Sequence, residues 1–181
     1  RQNKRRQLSP GELAVIEQTR VIAERYLQQN KLDEAMNQIT QAERRDPESL
    51  PVLLTKAAIL GARGETANAL RTLDAYDMLA IEREREAGNK LRSELAFKLV
   101  ESRNGMNQAL ATAWAEGKFH QTAKLAEKGL LADEDYPGTL YFAGVSAIAL
   151  GKSQAGLEHL KRFLTVSDTL DADPARRAEV S

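Results

Sequence analysis

The stretch Asn30-Lys31-Leu32-Asp33-Glu34-Ala35, followed twelve residues after Ala35 by Pro47, is the most informative part of this sequence. Apolar residues recur at helical spacing on both sides of it, so Asn30 and Lys31 read as the turn between two helices. The first helix is predicted to begin after Ser9, because Ser9-Pro10-Gly11-Glu12 has the residues of a capping box with proline at the first helical position. It is predicted to end near Gln29. The second helix is predicted to begin with Asp33 as its N-cap.

The helical pair recurs along the chain with a period of 34 residues. At this offset Asn30 aligns with Gly64, and Gly117 aligns with Gly151. The residue Ala35 aligns with Ala69, so a small side chain recurs as well as the turn. Such a period is typical of stacked helix–turn–helix units, each of which buries its apolar face against its neighbours.

The pattern resembles the tetratricopeptide repeat (TPR) family. That family places small residues at fixed positions of both helices, glycine or asparagine at the turn and proline before the next repeat. The first repeat matches each of these positions, with Ala23, Asn30, Ala35, Ala42 and Pro47. The resemblance implies that the second helix crosses the first closely at Ala35. Pro47 is expected to end the second helix.

The other repeats match this pattern with departures. Tyr76 stands at the late small position of the second repeat, and Phe163 stands at the same position of the fourth. In the third repeat Leu110 occupies the small position of the first helix, and the early alanine, Ala123, is displaced by one residue. These departures predict local changes in packing rather than a different fold.

We therefore predict an all-α, right-handed solenoid of about four TPR-like repeats over residues 9–170. The repeats are predicted at residues 16–49, 50–83, 103–136 and 137–170. Residues 84–102 break the period, and their apolar stripe predicts a further helix. That helix either extends the first helix of the third repeat backwards or stands as an inserted helix.

The two ends of the chain are predicted to differ from the repeats. Residues 1–8 carry a basic run, Arg1, Lys4, Arg5 and Arg6, which indicates either a linker or a juxtamembrane segment. A membrane anchor upstream of Arg1 would suit the second reading. Residues 171–181 contain Asp173-Pro174, a helix-start pattern, and predict the beginning of a capping helix.

Composition and motifs favour a binding protein over an enzyme. The 26 basic and 26 acidic residues cancel, and a dedicated nucleic-acid binder would need a basic excess. There is no cysteine, and the two histidines, His120 and His159, fall in different repeats. The acidic run Asp133-Glu134-Asp135 lacks the glycine and distal glutamate of a calcium loop, and it is predicted to be a solvated turn. We predict no catalytic residue, no cofactor and no metal site.

In the TPR family the first helix of each repeat lines an inner groove, and the resemblance therefore implies which positions face a ligand. In the first repeat these positions are mostly charged, whereas further along they are aliphatic or aromatic. The predicted groove for a peptide or a helix consists of Leu54, Asn107, Ala111, Trp114, Tyr141, Val145 and Ile148. Trp114 and Tyr141 are the expected anchors, since aromatic residues often carry binding energy. The alternative is that these two residues pack as core.

The resemblance also allows one specific family activity to be examined. Members that hold the acidic C-termini of chaperones use cationic and amide side chains on successive first helices. The matching positions here are Arg20, Glu24 and Thr55, and Glu24 would repel a carboxylate. That activity is not expected.

The sequence thus predicts a bacterial-type, non-catalytic scaffold that binds a protein or peptide and no nucleic acid. The alternative is a structural or assembly domain of a larger membrane-anchored or multidomain protein, self-associating weakly through its terminal repeat. The sequence leaves open a cytoplasmic or a periplasmic location.

Overall fold

In the computed structural model the backbone is described for residues 8–172 and the side chains for residues 8–169. This part of the chain contains eight α-helices and no β-strand. The helices are α1 (Pro10–Gln28), α2 (Leu32–Arg45), α3 (Leu50–Ala62), α4 (Thr66–Leu79), α5 (Arg85–Ala115), α6 (Phe119–Ala132), α7 (Pro137–Ala149) and α8 (Ser153–Ala172). The predicted all-α class of helix–turn–helix repeats is confirmed. The basic run Arg1–Arg6 and the predicted capping helix after Pro174 lie outside the described residues.

The start of α1 follows the prediction, whereas the start of α2 does not. The Ser9 hydroxyl accepts a hydrogen bond from the Glu12 N–H at 3.2 Å, and the Glu12 carboxylate accepts one from the Ser9 N–H at 2.8 Å. The predicted N-cap Asp33 is wrong, because α2 begins at Leu32. Asp33 lies in the first turn of α2, where an acidic side chain interacts favourably with the positive end of the helix dipole. Its carboxylate pairs with Arg63 at 2.7 Å.

The four turn residues identified from the sequence adopt the left-handed backbone conformation. Asn30, Gly64, Gly117 and Gly151 have φ angles of 56°, 80°, 70° and 79°. The N–H after each turn residue bonds to the carbonyl five residues earlier; in the first turn Lys31 donates to Tyr26 at 2.9 Å. This hydrogen bond satisfies a free carbonyl at the helix end, so each pair of helices is joined by a short and well-defined turn.

The helices divide into two compact units, residues 1–99 and residues 100–181, and α5 contributes to both. Each unit repeats the same helical pattern. The second helix begins at Leu32 in the N-terminal unit and at Phe119 in the C-terminal unit, and the third begins at Leu50 and Pro137. Both pairs are 87 residues apart. The break in the 34-residue period therefore falls within α5.

In the N-terminal unit the first part of α5 packs as the helix that follows α4. Leu95 is buried against Leu60 and Leu73, and it lies over Gly61 of α3. A Cβ atom at Gly61 would be only 2.4 Å from Leu95 Cδ2, so a larger residue there would force the Leu95 side chain to shift. Of the two arrangements left open by the sequence, a continuous extension of the later helix is the one observed.

The unusual Tyr76 of the N-terminal unit is also accommodated by α5. Tyr76 is buried at the late small position of α4, and Gly88 of α5 faces its ring. The Tyr76 hydroxyl donates a hydrogen bond to the backbone carbonyl of Glu84. Burial raises the pKa of this phenol. The absence of a side chain at Gly88 thus makes room for a ring where the repeat pattern expects a small residue.

The C-terminal unit has its core where α5, α6 and α7 meet. Leu110, at the predicted small position, is fully buried with Ala126 and Ala143. The position equivalent to Ala35 is held by Thr122, which is fully buried and donates its hydroxyl hydrogen to the Lys118 carbonyl at 3.1 Å. The displaced Ala123 is only half-buried.

The acidic run after α6 is not simply a solvated turn, and that prediction is wrong for Asp133. This residue is buried and pairs with Arg103 of α5 at 2.8 Å. The Arg103 guanidinium also lies 4.7 Å from the centre of the Tyr136 ring. These contacts tie α5 to the loop between α6 and α7, because a buried carboxylate must find a partner.

Within the described residues, none of the helices combines the length and the apolar character that crossing a bilayer requires.

Candidate functional site

A groove of about 1360 Å³ lies within the N-terminal unit. Its lining residues come from α1, the end of α2, the connection between α2 and α3, α3, α4, and the segment around the start of α5. Apolar residues of the lining are Leu8, Leu13, Pro47, Leu50, Pro51, Leu54, Tyr76 and Ala87. The charged residues of the lining are Arg20, Glu24, Arg44, Arg45, Asp46, Glu48, Arg83, Glu84, Glu86 and Lys90. We call this feature the N-terminal groove.

One wall of the N-terminal groove carries an ion-pair network centred on Arg20. The Arg20 guanidinium bonds to the Glu17 carboxylate at 2.6 and 2.8 Å, and it also contacts Glu24. Thr55 of α3 donates its hydroxyl hydrogen to Glu24 at 3.2 Å. The hydrogen bond from Arg20 lowers the pKa of the Glu17 carboxyl, and the same bond raises the pKa of Arg20. The network therefore gives Glu24 a cationic partner that it shares with Glu17, and it joins α1 to α3.

The opposite wall is formed by residues that the sequence did not single out. Ala87 and Lys90 of α5 are exposed there, as are Glu86 at the start of α5 and Arg83 just before that helix. The α5 residues are not predicted from the sequence because residues 84–102 read as an interruption of the repeat. Continuing the 34-residue period from Leu54 of α3 reaches Gly88 of α5, which was the available signal.

The predicted groove residues divide between the two units. Leu54 is half-buried and lines the N-terminal groove, next to Thr55. The other six, Asn107, Ala111, Trp114, Tyr141, Val145 and Ile148, belong to α5 and α7 in the C-terminal unit. They are therefore described as a separate face.

The aromatic residues of this second face have different surroundings. Trp114 is half-buried, and its ring centre lies 5.0 Å from that of Phe119, across the turn between α5 and α6. Tyr141 is 43% exposed, and its ring lies 5.8 Å from Phe163 of α8. Ile148 is also exposed on α7, whereas Val145 is half-buried. Tyr141 and Ile148 thus remain accessible to a ligand.

Asn107, by contrast, serves the packing of α5 against α7. Its side-chain amide donates a hydrogen bond to the Tyr136 hydroxyl. A Cβ atom at Gly138 would be 2.2 Å from Asn107 Oδ1, so the amide occupies the space beside that glycine. Asn107 Oδ1 is buried without a hydrogen-bond partner. A side chain enclosed in this way has little capacity to bind a peptide.

No family model matches the sequence, and no curated protein matches it. Several solved structures are similar in fold. A MamA protein comprising residues 41 to the end, from Desulfovibrio magneticus RS-1, is 13% identical, with 86% of this chain and 97% of that chain covered and a TM-score of 0.35. A MamA RS-1 double mutant is 14% identical, with coverages of 87% and 97% and a TM-score of 0.35. YrrB, described as a TPR protein with an unusual peptide-binding site, is 14% identical, with coverages of 82% and 84% and a TM-score of 0.34.

The class defined by the fold is an all-α protein built from TPR-like helical hairpins. Its definition rests on the 34-residue spacing, the left-handed turn residues and the small residues at the helix crossings. Among the described residues, no group of three or more histidine, aspartate or glutamate side chains is arranged to hold a metal ion.

Proposed function

We propose that this protein is a non-catalytic interaction scaffold that binds a peptide segment of a partner in the N-terminal groove. The observation that carries the proposal is the groove itself, whose volume of about 1360 Å³ exceeds that of ordinary small-molecule pockets. A peptide in extended or helical form needs an elongated site with apolar contacts and polar edges. The mixed lining of this groove meets that need.

The rigidity of the groove supports the same proposal. Arg20, Glu24 and Thr55 link α1 with α3, while Leu95 and Tyr76 fix the start of α5. When the walls of a groove are already held in place, ligand binding costs less free energy for ordering the protein.

A displayed library of random peptides, each of about 12 residues, tests this proposal. The test variant is Ala87→Gln, which adds a neutral side chain to an exposed position of the groove wall. The control is Ala96→Gln, an exposed position of the same helix outside the groove. We expect Ala87→Gln to weaken the selected peptides by about tenfold, equivalent to 1.4 kcal/mol, and Ala96→Gln to leave them unchanged. Failure to select any binder, or equal binding to both variants, would contradict the proposal.

The exposed face of α7 is a candidate for a second partner-binding surface, in the C-terminal unit. Tyr141 and Ile148 are accessible there and lie two helical turns apart. We expect Tyr141→Ala to weaken a partner that uses this face, whereas Glu127→Ala on the exposed surface of α6 should not. Unchanged affinity in Tyr141→Ala would restrict binding to the N-terminal groove.

The assembly role predicted as an alternative has one supporting feature, on α8. Leu157 and Leu164 are 48% and 58% exposed and are spaced by seven residues, which places them on one side of the helix. Sedimentation of the protein over a range of concentrations tests this role. Self-association that is abolished by Leu157→Gln and Leu164→Gln would favour it, and a monomer at every concentration would exclude it.

A further inference from the structure

The two units are built from corresponding helices, but these helices are not covered in the same way. Helices α6, α7 and α8 begin 87 residues after α2, α3 and α4, so each position of α7 and α8 has a counterpart in α3 and α4. In the N-terminal unit the first part of α5 packs on α3 and α4. The described part of the chain, which ends at residue 172, contains no helix after α8 that covers α7 and α8 in that way.

Residues of α4 that are buried next to α5 have more exposed counterparts on α8. Leu73 and Tyr76 are buried, whereas Leu160 and Phe163, at the same positions of α8, are half-buried. Leu157, one turn before Leu160, is exposed. We call the set of apolar side chains at these positions the α7–α8 face, and it consists of Tyr141, Ile148, Leu157, Leu160, Phe163 and Leu164.

From this correspondence we infer that the α7–α8 face binds an amphipathic α-helix of a partner protein, packed as the first part of α5 packs on α3 and α4. In that part of α5, Gly88, Leu91 and Leu95 face the neighbouring helices. Their spacing of three and four residues places them on one side of a helix, and an occupant of the α7–α8 face needs the same spacing. The inference deepens the second partner-binding surface proposed on α7 and does not depend on the N-terminal groove.

The size of one side chain of the partner helix follows from position 148. In the N-terminal unit Gly61 has no Cβ atom, and the Leu95 side chain occupies the space where that atom would lie. The counterpart of Gly61 on α7 is Ile148, which is exposed. A leucine placed over Ile148 as Leu95 is placed over Gly61 would overlap the isoleucine side chain. The partner helix is therefore expected to carry alanine or another small residue at the position that matches Leu95.

The charge of a second side chain follows from α8. Arg92 of α5 pairs with Asp74 at 2.9 Å and with Asp77 at 2.7 Å. The counterparts of these two carboxylates are Lys161 and Leu164, and both are exposed. An arginine placed there would lose both partners and would lie beside another cation, whereas an aspartate or glutamate would pair with Lys161. The partner helix is therefore expected to be acidic at the position that matches Arg92, so α5 of a second copy is a poor ligand.

Two synthetic peptides test the inference. The reference peptide has the sequence of residues 85–99, and the matched peptide carries Arg92→Glu and Leu95→Ala in that sequence. Both peptides carry a hydrocarbon link between positions 89 and 93, which are exposed in α5, because short isolated helices are marginally stable in water. In a fluorescence anisotropy titration, we expect the matched peptide to bind the whole chain about tenfold or more tightly than the reference peptide.

The location of the bound peptide is tested by variants of the protein. Leu157→Gln and Leu164→Gln in one variant should weaken the matched peptide by about tenfold or more. The control is Met78→Gln and Leu131→Gln, which removes two exposed apolar side chains outside the α7–α8 face. This control and Ala87→Gln should both bind the matched peptide as the parent protein does. A matched peptide that is lost in Ala87→Gln would belong to the N-terminal groove, which would overturn this inference and support the function proposed for that groove.

A reversal of charge preference separates recognition from a folding defect. Lys161→Asp and Leu164→Asp in one variant restore the two carboxylates that α4 presents to α5. This variant should bind a peptide that keeps Arg92 and carries only Leu95→Ala more tightly than it binds the matched peptide. The parent protein should show the opposite preference. A misfolded protein would lose both peptides, so a reversal cannot arise from damage to the fold.

The remaining outcomes would overturn the inference and leave the N-terminal groove as a separate proposal. They include no saturable binding of the matched peptide, equal binding of the matched and reference peptides, and unchanged binding in the variant with Leu157→Gln and Leu164→Gln. A dimer that this variant dissociates would assign the face to a second copy. Glu179 lies 87 residues after Arg92. If Glu179→Lys bound the matched peptide about tenfold more tightly than the parent protein, the face would be assigned to the C-terminal residues of the chain itself.

Discussion

The ring of Tyr76 occupies the space into which a side chain at Gly88 would project. A Cβ atom at position 88 would be 2.7 Å from Tyr76 Cε1 and 2.9 Å from Tyr76 Cδ1. A contact this short forces either the ring or the helix to move. This pair therefore fixes the distance between α4 and the beginning of α5, on which one wall of the N-terminal groove depends.

Gly88→Ala is expected to destabilise the protein by about 1–3 kcal/mol through overpacking against Tyr76. Alanine normally stabilises a helix interior relative to glycine. A loss of stability in this variant would therefore indicate the clash with Tyr76. Gly105→Ala is the matched control in the same helix, because its Cβ atom would meet nothing within 4 Å. It should stabilise the protein by about 0.5–1 kcal/mol. Urea unfolding of both variants measures the two effects, and a stabilised Gly88→Ala protein would disprove the packing described for Tyr76.

Ala35→Leu is expected to cost about 1–3 kcal/mol of unfolding free energy, because Ala35 is fully buried at the crossing of α1 and α2. Its neighbour Glu34 is exposed. Glu34→Ala should therefore change stability by less than about 0.5 kcal/mol. Thermal or urea unfolding compares the two variants. Similar effects from both would mean that the face of α2 assigned to the core is incorrect.

Gly64→Ala is expected to destabilise the N-terminal unit by about 1–2 kcal/mol, since φ at this residue is 80° and a Cβ atom is strained there. Nothing lies within 4 Å of that Cβ atom, so the effect would arise from the backbone alone. Asn30→Gly, at a φ of 56°, removes the same kind of strain and should not destabilise by more than about 0.5 kcal/mol. Denaturant unfolding midpoints of the two variants measure these effects. If Gly64→Ala left stability unchanged, the left-handed conformation of Gly64 would be contradicted.

Arg103→Ala is expected to cost about 1–3 kcal/mol, because it leaves the largely buried Asp133 carboxylate without its partner. The control is Glu116→Ala, which breaks an ion pair with Lys118 whose side chains are 50% and 55% exposed. Exposed pairs contribute little, so this control should change stability by under about 1 kcal/mol. Chemical unfolding monitored by the single tryptophan, Trp114, reports on this unit. Equal losses of unfolding free energy in the two variants would show that the pair Arg103 and Asp133 does not hold α5 in place.

Trp114→Ala is expected to destabilise more than Tyr141→Ala. Trp114 is half-buried against Phe119, so its truncation should cost about 1–3 kcal/mol, below the range for a fully buried aromatic residue. Tyr141 is more exposed, and its loss should cost under about 1 kcal/mol. Circular dichroism melts compare the two variants. If the Trp114→Ala variant had the same melting temperature as the parent protein, Trp114 would be assigned to the binding face rather than to the core.

The local features of this fold can be predicted from the amino-acid sequence. The capping box at Ser9, the left-handed turns at Asn30 and the three glycines, and the small residues at the crossings depend on neighbours within a few residues. The 34-residue spacing then follows from one hairpin repeating. Such short-range requirements leave a clear pattern in the amino-acid sequence, so the repeats and their helical pairing could be predicted.

The packing of α5 and the position of the groove become clear from the three-dimensional arrangement of the helices. The apolar stripe of residues 84–102 is the same whether that helix is an insertion or a wall, because periodicity records which face is buried but not against what. Tyr76 is tolerated because Gly88 lies opposite, twelve residues away, and Asp133 is buried because Arg103 is thirty residues away. These pairings are made by the packing of separate helices, and the periodicity of the sequence does not reveal which residues meet.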